Sequence, residues 1–508
     1  MESSVIVNYL LSATLDGFEA KVVNVEGSLT KGLPNFSVVG LASSDIQEAK
    51  ERAKNALQAS GFELPPLKIT INLSPSDIKK SGTHFDLAIA LLVALGDEEI
   101  KYKDIFIFGE LGLDGKVKSS SLIFPLILSL KEQGFIKRAI VPKDTLEALK
   151  YIEDIEFFGV ESLKEATNIL KQESLPKANK LKSVYSFKEL TLDKKYYYLD
   201  SYKEDFSDIL GQEIAIRAAL ISAAGWHNML LNGNPGSGKS MIAKRLRYIL
   251  PPLSKDEILT IARYQFLGGK EPDFKPIRPF RSPHHTATSA AIFGGGSFSA
   301  KIGEVALANR GVLFFDELPH FSSKVLEALR EPMQDNVVNI ARVNSKVSYK
   351  ANFLFIGAMN PCPCGNLLSK TKECRCSEVE IKRYKNRLSD PFLDRIDLYV
   401  VMQEVDFNKK ATTTSKNLHK EVLKAFKAQK ERGQERFNGE LLESEIDKFC
   451  ILDSEAKDIL KRAIDNFSLS YRAIANIKKV SRTIADLNGN KDITKSDILE
   501  ALSFRKRD

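Results

Sequence analysis

The sequence predicts an α/β protein that ends in an all-helical region. A glycine-rich phosphate-binding pattern lies between an apolar strand and a helix, and further apolar strands alternate with helices to about residue 405. Beyond that point, apolar residues recur at helical spacing. Because 508 residues are too many for one hydrophobic core, we expect domains at residues 1–170, 201–405 and 406–508, with a linker at residues 171–200.

The first domain, residues 1–170, is predicted to be α/β. Residues 68–73 alternate between apolar and polar side chains, as in a half-buried strand. Residues 46–60 have helical spacing of apolar side chains, and residues 85–95 predict an almost continuously apolar helix. The domain contains no linear nucleotide-binding motif, so a nucleotide site is expected further along the chain.

The segment at residues 171–200 is rich in lysine and serine and ends in three consecutive tyrosines, Tyr196, Tyr197 and Tyr198. We interpret it as a linker. Aromatic rings of this kind stack on nucleic-acid bases or pack against a neighbouring domain. We favour packing.

Bulk properties exclude some classes of protein. No apolar run approaches the roughly 20 residues of a membrane-spanning helix, and the N-terminal residues lack the basic region of a secretory signal. We therefore expect a cytoplasmic protein without a membrane partner. The formal net charge of +8 suits an anionic partner, although scattered surface lysines give the same value.

The central domain carries the phosphate-binding pattern G-x-x-x-x-G-K-[ST] at residues 233–240. The backbone N–H groups of such a loop form an anion nest. Lys239 brings a positive charge to the β- and γ-phosphates of ATP, and Ser240 ligates Mg²⁺ at the start of a helix. The residues predicted to bind the nucleotide are Gly233, Asn234, Pro235, Gly236, Ser237, Gly238, Lys239 and Ser240.

Two further strands end in polar residues suited to hydrolysis. Asp316 and Glu317 follow an apolar strand, where Asp316 would hold Mg²⁺ through water and Glu317 would deprotonate the attacking water. The alternative for Asp316 is an ordinary helix N-cap. Asn360 ends another apolar strand and would bond the γ-phosphate or the water; the alternative is a turn-forming residue before Pro361.

Four of the five cysteines lie in one short segment, as a C-x-C pair, nine residues and a second C-x-C pair. Such clustering in an intracellular chain favours metal binding over disulfides. Four thiolates complete a tetrahedral structural zinc site, whereas reduced thiols in a flexible loop are the alternative. The predicted ligands are Cys362, Cys364, Cys374 and Cys376.

Together these stretches resemble AAA+ ATPases of the magnesium-chelatase-like class, specifically the YifB/ComM family. The resemblance covers nearly the whole chain. It rests on Gly211-Gln212, the phosphate loop, Phe280-Arg281-Ser282-Pro283-His284-His285, Phe315-Asp316-Glu317, Met359-Asn360-Pro361-Cys362-Pro363-Cys364-Gly365, Asp394-Arg395-Ile396-Asp397-Leu398 and Ser481-Arg482-Thr483-Ile484-Ala485-Asp486-Leu487.

The resemblance implies an AAA+ core at residues 201–405, a helical lid at residues 406–508 and a hexameric ring with ATP and Mg²⁺ at subunit boundaries. It assigns Arg395 as the arginine finger, with Arg387 as the alternative, and Arg472 as the second sensor arginine of the lid. Ile209 would line the adenine pocket.

The implied activity is that of an ATP-dependent DNA helicase that promotes branch migration during natural transformation. A magnesium-chelatase motor subunit and a protein-remodelling ATPase are the alternatives. Two insertions, at residues 279–300 and 336–350, match loops that contact DNA in wider helicase relatives. We expect Arg281, Lys301, Arg342, Lys346 and Lys350 to neutralise DNA phosphates. A metal site at His284 and His285 is disfavoured, because no acid or cysteine is near them in sequence.

Residues 1–165 are similar to the Lon-protease-like domain through residues 79–88 and 109–117. Lon proteases use a serine that is activated by a lysine. Here His84 stands at the place of the nucleophile, and residues 119–130, the region of the catalytic lysine, contain no lysine. Ser81 is the doubtful alternative nucleophile, with no base placed for it. We therefore expect a domain without peptidase activity.

Overall fold

The structure is a computed structural model that describes residues 8–181, 187–295, 301–341, 346–404 and 411–505. The chain forms two compact units. One contains residues 1–185, 265–272 and 341–348, and the other contains residues 186–264, 273–340 and 349–508. Within the described ranges, no helix has both the length and the apolar character needed to cross a bilayer.

The first unit consists of a mixed β-sheet and helices. Its strands are β1 (Asn8–Asp16), β2 (Glu19–Thr30), β3 (Asn35–Val39), β4 (Lys68–Ser74), β5 (Ile105–Ile107), β6 (Glu110–Leu111), β7 (Val117–Lys118), β8 (Arg138–Pro142) and β9 (Glu156–Val160). Its helices are α1 (Ser44–Ala59), α2 (Asp86–Leu95), α3 (Ile123–Glu132), α4 (Leu146–Leu149) and α5 (Leu163–Lys171).

The main sheet of this unit has the strand order β3-β4-β2-β1-β5-β8-β9. Strands β1, β2 and β4 pair antiparallel, and β5, β8 and β9 pair parallel. Helix α2 is apolar on all sides, and it is buried between α1 and the sheet. The strand predicted at residues 68–73 and the helices predicted at residues 46–60 and 85–95 are present as β4, α1 and α2.

The second unit combines a parallel sheet with many helices. The strands from residue 188 to residue 401 are β10 (Lys188–Thr191), β11 (Lys195–Tyr198), β12 (Met229–Asn232), β13 (Leu253–Ser254), β14 (Phe280–Arg281), β15 (Gly294–Gly295), β16 (Lys301–Ile302), β17 (Val312–Phe315), β18 (Val337–Ala341), β19 (Lys346–Lys350), β20 (Leu354–Met359) and β21 (Leu398–Val401). Of these, Ala341 of β18 and residues 346–348 of β19 belong to the first unit.

The helices between these strands are α6 (Glu213–Gly225), α7 (Lys239–Leu246), α8 (Lys255–Leu267), α9 (Ser289–Phe293), α10 (Glu304–Leu307), α11 (Ser323–Ala328), α12 (Arg330–Asp335), α13 (Glu378–Lys385) and α14 (Asp390–Leu393). The C-terminal helices are α15 (Ser415–Glu431), α16 (Glu443–Phe449), α17 (Ser454–Phe467), α18 (Tyr471–Asn488) and α19 (Lys495–Ser503).

The central sheet has the strand order β14-β17-β20-β12-β21, and every pair in it is parallel. All five strands therefore present their carboxyl ends at one edge. In open α/β sheets, ligands bind in the crevice at that edge. The loops that follow β12, β17 and β20 begin at Gly233, Asp316 and Asn360, so three predicted site residues follow adjacent strands.

The structure differs from the prediction at residues 171–200. Strands β10 and β11 form an antiparallel hairpin, and β13 extends it into a small sheet. Tyr196 and Tyr197 are buried, and the Tyr196 ring meets Phe426 of α15 edge-on at a centroid distance of 5.0 Å. Part of the expected linker is thus an ordered element of the second unit. This burial favours packing, the preferred interpretation of the tyrosines.

The C-terminal region is helical, as predicted from the sequence. Asp453 caps α17 through the Ala456 N–H, and Thr494 with Asp497 forms the capping box of α19. Helix α18 packs against α6, α15 and α19, and its buried face joins the hydrophobic core of the parallel sheet. The mixed α/β class with a helical C-terminal region is therefore confirmed.

Candidate nucleotide-binding site

The phosphate loop, residues 233–240, connects β12 to α7. Gly236 and Gly238 have φ angles of 79° and 95°, a left-handed backbone that a residue with a Cβ adopts only under strain. The Ser237 N–H donates to the Asn234 carbonyl at 3.2 Å and closes the turn. The loop therefore has the strand, tight turn and helix N-terminus that phosphate binding requires.

Lys239 is the side chain on which this loop converges. Its Nζ donates to the Gly233 and Asn234 carbonyls at 2.6 and 2.9 Å, and to Asn360 Oδ1 at 3.2 Å. Burial lowers the pKa of Lys239, and the negative charge of Asp316 opposes that shift. The lysine is thus held at the sheet edge, with Asn360 of the next strand as its neighbour.

Ser240 and Asp316 form the second contact of the site. Their side-chain oxygens, Oγ and Oδ2, are 2.7 Å apart. A hydroxyl and a carboxylate are hard oxygen donors of the kind Mg²⁺ prefers, so this pair fits the predicted magnesium position. The Asp316 side chain faces the phosphate loop, which favours the magnesium interpretation over a helix cap.

Glu317 begins a tight turn directly after Asp316. Its φ of 51° lies in the left-handed region, and its backbone N–H donates to Asp316 Oδ1 at 2.9 Å. Its carboxylate oxygen Oε2 lies 3.3 Å from His285 Nδ1. No acid lies near the histidine pair in sequence, but the fold brings Glu317, which follows a neighbouring strand, beside His285 in space.

Ile209 is buried in the same hydrophobic core as the apolar face of α7. The Gln212 side chain, just beyond it, donates to the Ser237 carbonyl of the phosphate loop at 3.2 Å. The segment assigned to the adenine pocket is therefore tied directly to the loop. In the sequence Gln212 belongs to the Gly211-Gln212 motif, and no pattern there predicts its contact with the phosphate loop.

The two predicted catalytic arginines lie together in a separate cluster. Arg395 Nη2 and Arg472 Nη2 both approach Gln334 Oε1, at 2.7 and 3.1 Å. Burial and the nearby charge of Arg472 lower the pKa of Arg395. Arg387, the alternative finger, instead donates to the Pro319 carbonyl at 3.1 Å, beside the Glu317 turn of its own chain. Sequence reasoning missed Gln334, and no local pattern marks it.

The four clustered cysteines converge. Their sulfur atoms all lie within 4.8 Å of one another, and the Cys362, Cys364 and Cys374 sulfurs are 3.4–3.7 Å apart. Four sulfurs at about 2.3 Å from one zinc ion would be about 3.8 Å apart, so the donor set fits zinc. Within the described residues, no other group of three or more potential ligands is close enough to hold an ion.

The cysteine loop, residues 361–377, lies against the phosphate loop. A Cβ at Gly365 would come within 2.7 Å of the Pro235 ring, so the cysteine loop meets that ring at a position that excludes a side chain. The Asn234 amide, oriented to satisfy both of its neighbours, donates to the Gly365 carbonyl at 2.9 Å and accepts from the Ser369 N–H at 3.1 Å. A change in the conformation of the cysteine loop would therefore alter the conformation of the phosphate loop through these direct contacts.

Among the residues predicted to contact DNA, Arg281 is held in an ion pair, whereas Lys350 is exposed. The Nε and Nη2 groups of Arg281 donate to the two oxygens of the Glu304 carboxylate, with an Nη2–Oε1 distance of 2.6 Å, so this edge of the guanidinium reaches a DNA phosphate only if the internal ion pair opens. Lys350 is exposed at the end of β19. Arg342 and the side chains of Lys301 and Lys346 lie outside the described residues.

In the first unit, His84 is fully buried, and its Nε2 lies 2.8 Å from the Ala13 carbonyl oxygen. Burial lowers the pKa of His84 to about 4, so the side chain is a neutral part of the core. His84, which the sequence resemblance aligns with the protease nucleophile, is thus enclosed within the first unit.

Comparisons with known proteins agree along nearly the whole chain. Residues 205–410 match the family model described as magnesium chelatase, subunit ChlI; residues 25–145 match subunit ChlI of Mg-chelatase, and residues 412–505 match its C-terminal model. The chain is 36% identical over 500 residues to competence protein ComM of Haemophilus influenzae, covering 96% of this chain and 95% of that protein.

Two further relatives differ in coverage. YifB of Escherichia coli is 35% identical over 505 residues, covering 97% of this chain and 96% of YifB. The magnesium-chelatase 67 kDa subunit of Heliobacterium mobile is 27% identical over 184 residues, which are 30% of this chain and 27% of that protein.

Proposed function

This chain belongs to the magnesium-chelatase-like AAA+ family that includes ComM and YifB, and we propose that it is a ring-forming motor that uses ATP hydrolysis to drive branch migration of DNA. Membership in the family implies an ATPase that uses ATP and Mg²⁺. The observation that carries the proposal is the convergence of Lys239, Ser240, Asp316 and Asn360 at one edge of the parallel sheet.

The proposed hydrolysis assigns one task to each residue. Lys239 binds the β- and γ-phosphates, and Asn360 orients the γ-phosphate or the attacking water. Glu317 accepts a proton from that water as the water oxygen bonds to the γ-phosphorus and the bond to the ADP oxygen breaks. Ser240 and Asp316 would hold Mg²⁺, which when bound neutralises charge on the phosphates.

We assign the arginine cluster to the nucleotide of a neighbouring subunit. Arg395 and Arg472 share one acceptor, Gln334, so both face the same region of the chain surface. An arginine that approaches the transferring phosphate from another subunit stabilises its charge in the transition state. The active site is then complete only in an oligomer, for which we propose a hexameric ring with residues 406–508 as its lid.

DNA as the substrate is supported by charge and by one relative. The chain has a formal net charge of +8, and Lys350 is exposed on the hairpin of β18 and β19. The relative in Haemophilus influenzae is named a competence protein. We therefore propose that the motor acts on single-stranded or branched DNA during natural transformation, with Lys350 among its phosphate contacts.

Two accessory parts complete the proposal. The sulfur distances support a structural zinc ion held by Cys362, Cys364, Cys374 and Cys376, with all four positions filled by protein. The first unit would be a Lon-protease-like collar without peptidase activity. Its buried His84 and a helix α3 without a lysine before Lys131 support that role.

The main alternative is a chelatase-type motor, supported by the family models and by the Heliobacterium relative. Such a motor works through partner subunits on a tetrapyrrole, so its ATPase rate would respond to those partners and not to DNA. A protein remodeller would respond to unfolded protein. The response of the ATPase rate to each class of molecule separates the three activities.

The decisive experiment measures the ATPase rate with and without single-stranded and branched DNA, together with strand exchange. We expect DNA to stimulate hydrolysis several-fold, and we expect Lys239→Ala and Glu317→Gln to abolish it. An ATPase rate that DNA does not change, together with the absence of strand exchange and unwinding, would contradict the proposal that the chain is a DNA motor.

A further inference from the structure

We infer that His285 is a positioning residue that holds the Glu317 carboxylate for hydrolysis. The inference rests on the proposed role of Glu317 as the base that deprotonates water. The family resemblance gives His285 no task, and sequence reasoning treated it as part of a polymer-binding insertion. In the structure, its Nδ1 lies 3.3 Å from Glu317 Oε2.

The sheet brings these two residues together. Strand β14 pairs in parallel with β17, with Phe280 opposite Val312 and Arg281 opposite Leu313. The chain that follows β14 therefore runs past the carboxyl end of β17, where Glu317 lies. The ion pair between Arg281 and Glu304 of α10 anchors this chain just before His285.

The His285 ring is held in place from two directions. The ring of His284 lies 4.2 Å away on one side, and the rings of His320 and Phe321 approach at 5.9 and 6.4 Å. His320 belongs to the turn that begins at Glu317, and its N–H donates to the Glu317 carbonyl at 2.8 Å. His285 therefore packs against the same turn whose carboxylate it contacts.

Glu317 needs such a partner because little else restrains its carboxylate. The side chain is 53% exposed. Asp316 Oδ1 holds its backbone N–H, and among the ion pairs and hydrogen bonds of the described residues its carboxylate has His285 as its one partner. A general base must lie within hydrogen-bonding reach of the water it deprotonates, so loss of orientation lowers the rate of the chemical step.

The position of His285 also connects the base to the rest of the insertion. His285 stands between β14 and residues 286–302, which include α9 and the short antiparallel pair β15 and β16. A polymer bound on this insertion would thus act on the segment that carries the imidazole. The contact offers a physical route from a bound substrate to the hydrolytic base.

Steady-state ATPase kinetics of the full-length protein test this inference. We expect His285→Ala to lower kcat about tenfold and to leave the KM for ATP within about twofold. His285→Asn places an amide N–H near the position of Nδ1 and should restore most of kcat. Lys324→Ala, on the exposed face of α11, is the control, and its kcat should stay within about twofold.

A double-mutant comparison separates positioning from a general structural effect. If His285 acts through Glu317, its loss should matter less once the carboxylate is displaced, so His285→Ala should lower kcat by less than about twofold in the Glu317→Asp background, where a shorter carboxylate keeps residual activity. Unchanged or raised kcat in His285→Ala, failure of Asn to restore it, or full additivity with Glu317→Asp would overturn the inference. An active Glu317→Gln enzyme would instead contradict the proposed role of Glu317, so the two failures are distinguishable.

Discussion

Arg395 and Arg472 donate to the same oxygen atom, Gln334 Oε1, at 2.7 and 3.1 Å. Two guanidinium groups repel each other, and the charge of Arg472 contributes to the lowered pKa of Arg395. A pair of like charges gathered on one amide suits an anion that arrives from outside the chain. We expect that anion to be the nucleotide of a neighbouring subunit.

Removing either arginine should abolish most hydrolysis. Arg395→Ala and Arg472→Ala each remove positive charge from the transition state, and we expect kcat to fall about 10³-fold in both. Nucleotide binding, measured by fluorescence with a labelled ATP analogue, should persist because Lys239 is intact. Arg383→Ala on the exposed face of α13 is the control. A normal kcat in either variant would remove that arginine from the site.

Loss of zinc ligands should weaken ATP binding. Cys374→Ser with Cys376→Ser leaves two thiols, too few for a closed site. Because Gly365 of the cysteine loop abuts Pro235, we expect the KM for ATP to rise several-fold as the metal is lost. Cys450→Ala changes the remaining cysteine, which is buried elsewhere in the chain. This variant should keep both its bound zinc and the wild-type KM for ATP. Metal analysis that finds no zinc in the folded, active wild-type protein would refute the site.

Arg278 should be a main stabilising residue of the second unit. It donates to the Pro251, Pro252 and Arg310 carbonyls, and its guanidinium lies 4.9 Å from the Trp226 ring centre. Arg278→Met leaves these buried acceptors without donors, so we expect a loss of about 3 kcal/mol in unfolding free energy, measured by urea denaturation. Arg462→Met at an exposed position should change it by less than about 0.5 kcal/mol.

The buried His84 predicts an acid-sensitive first unit. Because its pKa falls from about 6.5 unfolded to about 4 folded, the folded state binds fewer protons between these values. The contribution of neutral His84 to the stability of the fold is fully present above pH 6.5 and is lost as the pH falls toward 4. Between pH 7 and pH 5, the free energy of unfolding of the wild type should fall by about 2 kcal/mol more than that of His84→Gln. Parallel stability curves for the two proteins would contradict this.

The sequence predicts local structure well where the chemistry is local. The glycines of the phosphate loop, the caps at Asp453 and Thr494, and the acids that end β17 each follow from a few neighbouring residues. In a parallel sheet the carboxyl ends of all strands lie at one edge, so Asp316 and Asn360 are predicted at the same edge as the loop, and the order of the strands decides how near to it they lie.

Contacts between distant segments could not be predicted in this way. Gln334 is 61 residues from Arg395 and 138 from Arg472, and no periodicity relates them. The hairpin of β10 and β11 depends on β13, and its tyrosines are buried by α15, so composition alone suggested a linker. The contact between His285 and Glu317 likewise requires the order of strands in the sheet.

Mixing inactive subunits tests the shared active site most directly. Lys239→Ala chains combined with Arg395→Ala chains before assembly should regain ATPase activity, because about one quarter of the boundaries then join an intact loop to intact arginines. Arg395→Ala combined with Arg472→Ala should regain none, since each boundary takes both arginines from one chain. Recovery in the second mixture, or none in the first, would contradict the assignment of both arginines to the neighbouring site.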